Sequence, residues 1–223
     1  MADPILWEWR GRVPYRRALA EQRERRQAIL NGQADEVVWL LEHDPVITTG
    51  RRPADGIAGD AVLAARGIER VQTERGGLAT YHGPGQLVAY LLLDAPRRGW
   101  GVRRLVQAIE DVLIGFVGDL GVVAGRRAGA PGVWVGDDKI AALGLHFRKG
   151  VSMHGLALNI CPDLSAYGLF VPCGIADAGV TSLARLGVPE AVSGADLGGL
   201  AAELGRRLSE GLRQGDRPST LSP

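Results

Sequence analysis

The sequence predicts an α/β fold of the α+β type, in which helices flank a mixed sheet. Segments with strand composition and segments with helical spacing alternate irregularly along the chain, as they do in a mixed sheet covered by helices. Residues 132–147, GVWVGDDKIAALGLHF, are typical of a β-hairpin with its turn at residues 136–138. Residues 102–120 are typical of an amphipathic helix, because one face collects Val102, Leu105, Ile109, Val112, Leu113 and Phe116.

The other elements follow from local apolar spacing and from turn residues. Residues 13–32 combine an apolar stripe with many charges and end at Asn31–Gly32, which predicts a helix. Residues 61–74 predict a short helix followed by a strand. Residues 196–213 have helical spacing. The remaining strands are predicted at residues 36–43, 44–53 (running into a loop), 86–93 and 154–160.

Length and composition are those of a globular protein with one core. The chain has 223 residues, of which 46% are hydrophobic and 23% charged. We expect one domain over residues 1–213 and a flexible tail at 214–223. The net charge of +1 argues against a dedicated nucleic-acid binder, since such proteins carry a basic excess.

The length of the apolar runs and the number of cysteines indicate the cellular compartment of the protein. The longest apolar run, LVAYLLL, falls far short of the roughly 20 residues that span a bilayer. Two cysteines and no export signal favour a reducing cytoplasm. No histidine has a metal-ligand spacing with Cys, Asp or Glu, so we expect no metal site.

The glycine-rich segment at residues 75–85, RGGLATYHGPG, allows three interpretations. It can be a tight loop between two strands, and glycines are common in such loops. A phosphate cradle is poorly supported, because neither a P-loop nor a dinucleotide fingerprint is present. The third interpretation is a ligand wall, with polar contacts from Arg75, Thr80, Tyr81 and His82. His82 itself fits a structural hydrogen bond or a catalytic role.

Lys139 and Cys173 suggest acyl transfer from a thioester. Cys173 lies between a proline and a glycine, which constrains how its sulfur is presented. A thiolate is the nucleophilic form of cysteine, and a nearby ammonium favours it. The alternatives are an exposed lysine and a small buried cysteine, the second of which suits Cys161 better. The two residues are distant in sequence, so only folding can bring them together.

Four motifs together resemble a known family. They are RGGLATYHGPGQLVAY, APGVWVGDDKIAALGLH, HGLALNI and VPCGIADAGVTSL, and the resemblance that they carry runs from about residue 36 to 186. They resemble the octanoyltransferases of lipoate biosynthesis, also called lipoyl(octanoyl) transferases or lipoate-protein ligase B. The resemblance implies a biotin/lipoate protein ligase-like fold and one catalytic acyltransferase domain. One departure is His146, where the resemblance leads us to expect a basic residue.

The resemblance also implies a reaction and site residues. An octanoyl group would pass from acyl carrier protein to a lysine of a lipoyl domain. Cys173 would be the acyl-thioester nucleophile, and Lys139 would favour the thiolate and shuttle protons. Gly144 and Gly155 would keep an acyl tunnel open. The implied acyl pocket comprises Arg75, Gly76, Gly77, Leu78, Ala79, Thr80, Tyr81, His82, Ala142, Leu143, Gly144, Gly155, Leu156 and Ala157.

Partners and rival functions follow from the same resemblance. The acceptors would be lipoyl domains of 2-oxoacid dehydrogenase E2 subunits and the glycine cleavage H protein. We expect a monomer, because no coiled-coil heptad is evident in the sequence. We also expect that the protein requires no cofactor. The rivals are an ATP-dependent lipoate or biotin ligase, a non-catalytic acyl-carrier-binding protein, and a cysteine hydrolase that pairs Cys173 with His82.

Overall fold

The computed structural model describes residues 3–52, 56–170, 179–189 and 197–213. The predicted tail at residues 214–223 therefore lies outside the described residues. The helices are α1 (Tyr15–Leu30), α2 (Asp60–Ala65), α3 (Val102–Asp119), a 3₁₀ helix (Leu164–Leu169) and α4 (Leu197–Gly211). The strands are β1 (Leu6–Arg12), β2 (Val37–Glu42), β3 (Val46–Thr49), β4 (Glu69–Gln72), β5 (Ala79–His82), β6 (Gln86–Leu92), β7 (Gly125–Arg127), β8 (Ala130–Val135), β9 (Asp138–Arg148), β10 (Val151–Asn159) and β11 (Gly179–Val180).

The strands form a large and a small mixed sheet. The large sheet has the order β1-β2-β6-β10-β9-β8-β7, and β11 pairs with β9. The small sheet has the order β4-β3-β5. Parallel pairs (β1 with β2, β9 with β11, β3 with β4) occur beside antiparallel ones. The predicted mixed sheet with flanking helices is confirmed.

One face of the large sheet packs against α3 and α4. The cluster there joins Leu40, Ala89 and Leu156 of the sheet to Leu105 of α3 and Leu204 of α4. The predicted apolar stripe of α3 supplies this contact, except that Val102, in the first turn, is 54% exposed. The hydrophobic cluster on this face holds the strands of the large sheet against α3 and α4.

The opposite face of the large sheet packs against α1 and the small sheet. Ala18 and Leu19 of α1 join Val46 of β3, Val88 of β6 and Ala157 of β10 in one cluster. The small sheet is held in turn against the 3₁₀ helix by a third cluster that includes Tyr81 and Phe170.

Several elements differ from the sequence prediction. Residues 79–82, in the glycine-rich segment where no strand was predicted, form β5 and pair with β3. β1 was not predicted because, as a half-exposed edge strand, it shows no clear apolar alternation. The turn of the predicted hairpin is correct and contains Gly136 in a left-handed conformation (φ +57°). None of the helices within the described ranges is long and apolar enough to cross a membrane.

Candidate active site

The floor of the candidate site is built from small residues on three neighbouring strands. The register places two rows side by side across β6, β10 and β9. The rows are Val88–Ala157–Ala142 and Tyr90–Gly155–Gly144. Because alanine and glycine fill the β10 and β9 positions, the sheet surface is low there, and a space remains beneath the small sheet.

The roof of the site is the segment that leads from Arg75 into β5. The Gly76 N–H donates to the Leu145 carbonyl of β9 at 3.1 Å, which fixes the segment over the sheet. The buried Arg75 guanidinium donates to the Thr48 carbonyl and hydroxyl of β3 and to the Gly76 carbonyl. Arg75 therefore braces the roof and also lines the space below it.

The space between floor and roof is a cavity, called here the inner cavity. Most of the predicted pocket lines it, together with Lys139. The predicted residues that do so are Arg75, Gly77, Leu78, Ala79, Thr80, His82, Ala142, Leu143, Gly144, Gly155, Leu156 and Ala157. Two predicted residues do not line it. Tyr81 packs edge-on against Tyr167 beyond the small sheet, and Gly76 lines a neighbouring groove instead.

Gly144 and Gly155 differ in why they must be glycine. A Cβ on Gly144 would lie 3.1 Å from the Gly76 carbonyl oxygen and 3.3 Å from Arg75 Cδ, so it would press on the roof. A Cβ on Gly155 would lie 2.1 Å from the Ala89 carbonyl oxygen of the adjacent strand. Strand packing therefore gives a reason of its own for glycine at position 155, and the role of Gly155 in keeping a tunnel open stays a prediction.

A wider groove continues outward from the inner cavity. The two share Gly77, Leu78, Lys139, Leu143 and Gly144, which therefore form the mouth of the inner cavity. The outer groove is also lined by Arg51, Arg52 and His146. Burial, and next the Arg26 guanidinium 2.9 Å from Nδ1, lower the pKa of His146. The groove thus presents fixed positive charge beside an uncharged imidazole.

Lys139 is held at the mouth by the hairpin itself. Its side chain is only 8% exposed, and its ammonium donates to the Pro131 carbonyl at 3.2 Å. The ammonium also lies 4.8 Å from the centre of the Trp134 ring. Behind it, β11 pairs with β9 so that Val180 lies opposite Lys139 and the Thr181 N–H donates to the Lys139 carbonyl at 3.1 Å.

Cys173 lies in residues 171–178, outside the described residues. The chain enters that segment at the buried Phe170 and leaves it at β11, directly beside Lys139. Cys161, the other cysteine, is half-buried next to Gly85, and burial raises the pKa of its thiol. Cys161 therefore has the environment of a structural thiol.

Aromatic polar side chains form the deep side of the inner cavity. Four lining residues were not predicted from sequence: Tyr15, Val88, Tyr90 and His154. The side chains of Tyr15, Tyr90 and His154 make a wall of rings with His82, in which Tyr15 stacks on His82 at 5.9 Å and Tyr90 meets His154 edge-on at 6.2 Å. The sequence signals for this wall are His82 in the glycine-rich segment and the tyrosine embedded in the apolar run LVAYLLL.

Burial keeps this wall uncharged. It lowers the pKa of His82 to about 3, and the neighbouring His43 adds to the effect. Burial also lowers the pKa of His154 to about 3 and raises the pKa of Tyr15 to about 12. His82 Nδ1 lies at hydrogen-bond distance, 2.7 Å, from Gln86 Oε1. The Gln86 side-chain amide donates to Asn159 Oδ1. These contacts favour the structural interpretation of His82.

No group of three or more His, Cys, Asp and Glu side chains that could hold a metal ion occurs among the described residues.

Most of the chain matches one protein-family model. Residues 14–195 match the model described as the lipoyl protein ligase A/B catalytic domain. The chain belongs to this family. The matched range contains the roof, the floor, Lys139 and Cys173. A curated member from Maricaulis maris (strain MCS10) is named Octanoyltransferase. It is 50% identical over 184 residues, which cover 79% of this chain and 80% of that protein.

Solved structures of family members and of biotin ligases share the fold. A chain from the structure of a bipartite lipoate protein ligase and its E2 lipoyl domain from Thermoplasma acidophilum superposes with a TM-score of 0.72 at 16% identity. That match covers 98% of this chain and 88% of the other. An apo biotin protein ligase from Aquifex aeolicus superposes with a TM-score of 0.51 at 11% identity, covering 93% and 69% of the two chains. These likenesses confirm the predicted biotin/lipoate protein ligase-like fold.

Proposed function

We propose that this chain is an octanoyltransferase that moves an octanoyl group from acyl carrier protein to a lysine of a lipoyl domain. The observation that carries the proposal is a narrow cavity, walled by the residues of the family motifs, with Lys139 at its mouth. The relatives named Octanoyltransferase, at 42–50% identity, support the same activity.

The inner cavity suits an acyl chain of limited length. Ala142, Leu143, Leu156 and Ala157 supply apolar contacts along its floor and sides. Each methylene transferred from water into such surroundings favours binding by about 0.8 kcal/mol. The carbonyl end of the chain then lies at the mouth, where Lys139 is held.

The proposed reaction has two halves that share one lysine. The Cys173 thiolate attacks the thioester carbon, the carbon–sulfur bond to the carrier breaks, and the Lys139 ammonium gives its proton to the departing sulfur. The acceptor amine then attacks the acyl-enzyme, and the Lys139 amine takes the amine's proton as the Cys173 thiolate leaves. The thiolate–ammonium pair is restored. Backbone N–H groups near Gly174 would stabilise the oxyanion in both halves.

The outer groove is the proposed approach route for both protein partners. Arg51 and Arg52 line it and are exposed. Fixed positive charge attracts acidic surfaces during encounter. We propose acyl carrier protein as donor, the lipoyl domains of 2-oxoacid dehydrogenase E2 subunits and the glycine cleavage H protein as acceptors, and a monomeric enzyme that requires no metal or nucleotide.

The test is transfer by the purified full chain to an apo lipoyl domain. We expect octanoyl-acyl carrier protein to modify the acceptor lysine without ATP, as measured by intact mass. Modification that requires free octanoate and ATP would instead identify a ligase. Release of octanoate without acceptor modification would identify a hydrolase. Binding of the carrier without turnover would identify a non-catalytic carrier-binding protein.

A further inference from the structure

We propose that Glu110 of α3 is a positioning residue for Lys139, which it reaches through the peptide group between Pro131 and Gly132. The inference rests on the proposed function, in which Lys139 gives and takes protons, and adds to it a residue outside all four sequence motifs. Glu110 lines neither the inner cavity nor the outer groove. It therefore acts on the reaction only through the atoms that hold Lys139.

One peptide group links the two charged side chains. The Gly132 N–H donates to Glu110 Oε1 at 2.9 Å, and the Lys139 ammonium donates to the Pro131 carbonyl oxygen at 3.2 Å. This N–H and this carbonyl belong to the same planar trans peptide, in which they point in opposite directions. The carboxylate therefore lies on one side of the peptide and the ammonium on the other, no more than about 8 Å apart.

The two charges strengthen both hydrogen bonds of this peptide group. A hydrogen bond with one ionised partner is stronger than a neutral one, and successive hydrogen bonds polarise the group between them. A carboxylate on the N–H side thus makes the carbonyl oxygen a better acceptor for an ammonium. Glu110 is 5% exposed and Lys139 8%, so water screens the effect little. Glu110 therefore strengthens the bond that holds the Lys139 ammonium in one position.

The Lys139 side chain also packs directly against this peptide group. Gly132 has a φ of +134°, and a Cβ there would lie 2.5 Å from the Ala141 carbonyl oxygen and 3.3 Å from Lys139 Cε. Glycine therefore lets the stem of Lys139 pass beside the peptide on which its ammonium rests. A shift of the peptide would move both the stem and the ammonium of Lys139.

Arg126 of β7 fixes the second oxygen of the Glu110 carboxylate. Its Nε donates to Glu110 Oε2 at 2.9 Å, so each carboxylate oxygen has its own partner, as a buried charge requires. Asp111, the next residue of α3, also pairs with Arg126, at 2.6 Å, but its side chain is 68% exposed. No hydrogen bond joins Asp111 to Gly132 within the described ranges. Asp111 therefore matches Glu110 in charge and in Arg126 contact, but not in its contact with the peptide.

The test measures octanoyl transfer from acyl carrier protein to an apo lipoyl domain by Glu110→Gln, with Asp111→Asn as the control. Glutamine keeps the length of the side chain and an oxygen for Gly132 but removes the charge. We expect kcat to fall about tenfold in Glu110→Gln, since a hydrogen bond to a charged group contributes more than a neutral one. KM for the carrier should not change, because Glu110 does not line the groove. Asp111→Asn should keep both wild-type values.

A double-mutant cycle shows whether Glu110 acts through Lys139. In the Lys139→Met background, Glu110→Gln should cause no further loss of kcat, because its effect needs the ammonium. Glu110→Asp, which keeps the buried charge but draws the carboxylate back from Gly132, should lower kcat only where Lys139 is present. Wild-type kcat in both Glu110 variants, or losses that persist in the Lys139→Met background, would overturn the inference and leave the proposed function standing. A wild type that transfers no octanoyl group would instead contradict the proposed function.

Discussion

Replacing Lys139 with methionine is expected to lower the rate of octanoyl transfer by about 10³-fold, within the range for loss of a general acid–base group. Methionine has a similar length and fills the space beside Trp134, so the hairpin should remain folded. The variant loses both the charge that favours a thiolate and the proton that the leaving sulfur needs. The measurement is kcat for transfer to an apo lipoyl domain, with circular dichroism to verify folding.

Lys139→Arg separates these two contributions. Arginine keeps the positive charge but does not release its proton under physiological conditions. We expect Lys139→Arg to react with a thiol-alkylating reagent nearly as fast as wild type. We expect it to transfer the octanoyl group as poorly as Lys139→Met. Transfer by either variant at more than a tenth of the wild-type rate would show that Lys139 is not the acid–base group.

Acid is expected to destabilise the fold steeply below about pH 6.5, because the three most buried histidines resist protonation. Burial lowers the pKa of His43 to about 4, although the hydrogen bond that His43 donates to the Val13 carbonyl opposes this, and burial lowers the pKa of His82 and His154 to about 3. In the unfolded chain each has a pKa of about 6.5. Between these values the unfolded state binds more protons than the folded state, so the free energy of unfolding must rise with pH.

The size of this effect can be measured by urea unfolding at several pH values. Three histidines contribute about 3 kcal/mol of lost stability between pH 6 and pH 5, at about 1.36 kcal/mol per proton and pH unit. The contribution is complete above about pH 6.5 and disappears as pH falls. Replacing His43 with glutamine should reduce the slope by about one third. A free energy of unfolding that is equal at pH 7 and pH 5 would contradict the assignment of neutral buried histidines.

The parts of the fold that sequence predicts well are those with a strong local period. β2 and β6 are nearly continuous apolar runs, because both faces of the central sheet are covered. α3 shows its buried stripe for the same reason that it packs on the sheet. Here local pattern and tertiary environment agree, so the prediction succeeds.

The parts that fail depend on pairing rather than on local pattern. β5 has only four residues and follows directly on a glycine-rich segment, so its strand character comes from pairing with β3. β11 has two residues and exists only as a partner of β9. Strands this short have no hydrophobic periodicity of their own from which they could be predicted.

The candidate site likewise contains residues that local sequence identifies and residues that only tertiary packing brings in. Sequence motifs identify most of the roof and floor, since those residues are close together in the chain. Tyr15 enters the cavity from α1, where spacing marks it only as a buried helix residue. The left-handed conformation of His154 cannot be inferred from the segment HGLALNI, because it arises where β10 meets α1. The deep wall is therefore a product of tertiary packing.

Covalent capture of the acyl group tests the central claim most directly. The full chain is incubated with octanoyl-acyl carrier protein without acceptor, and its intact mass and peptides are measured. The account predicts one octanoyl group on Cys173, its loss in Cys173→Ala, and its retention in Cys161→Ser. An octanoyl group on Cys161, or one that persists in Cys173→Ala, would contradict it.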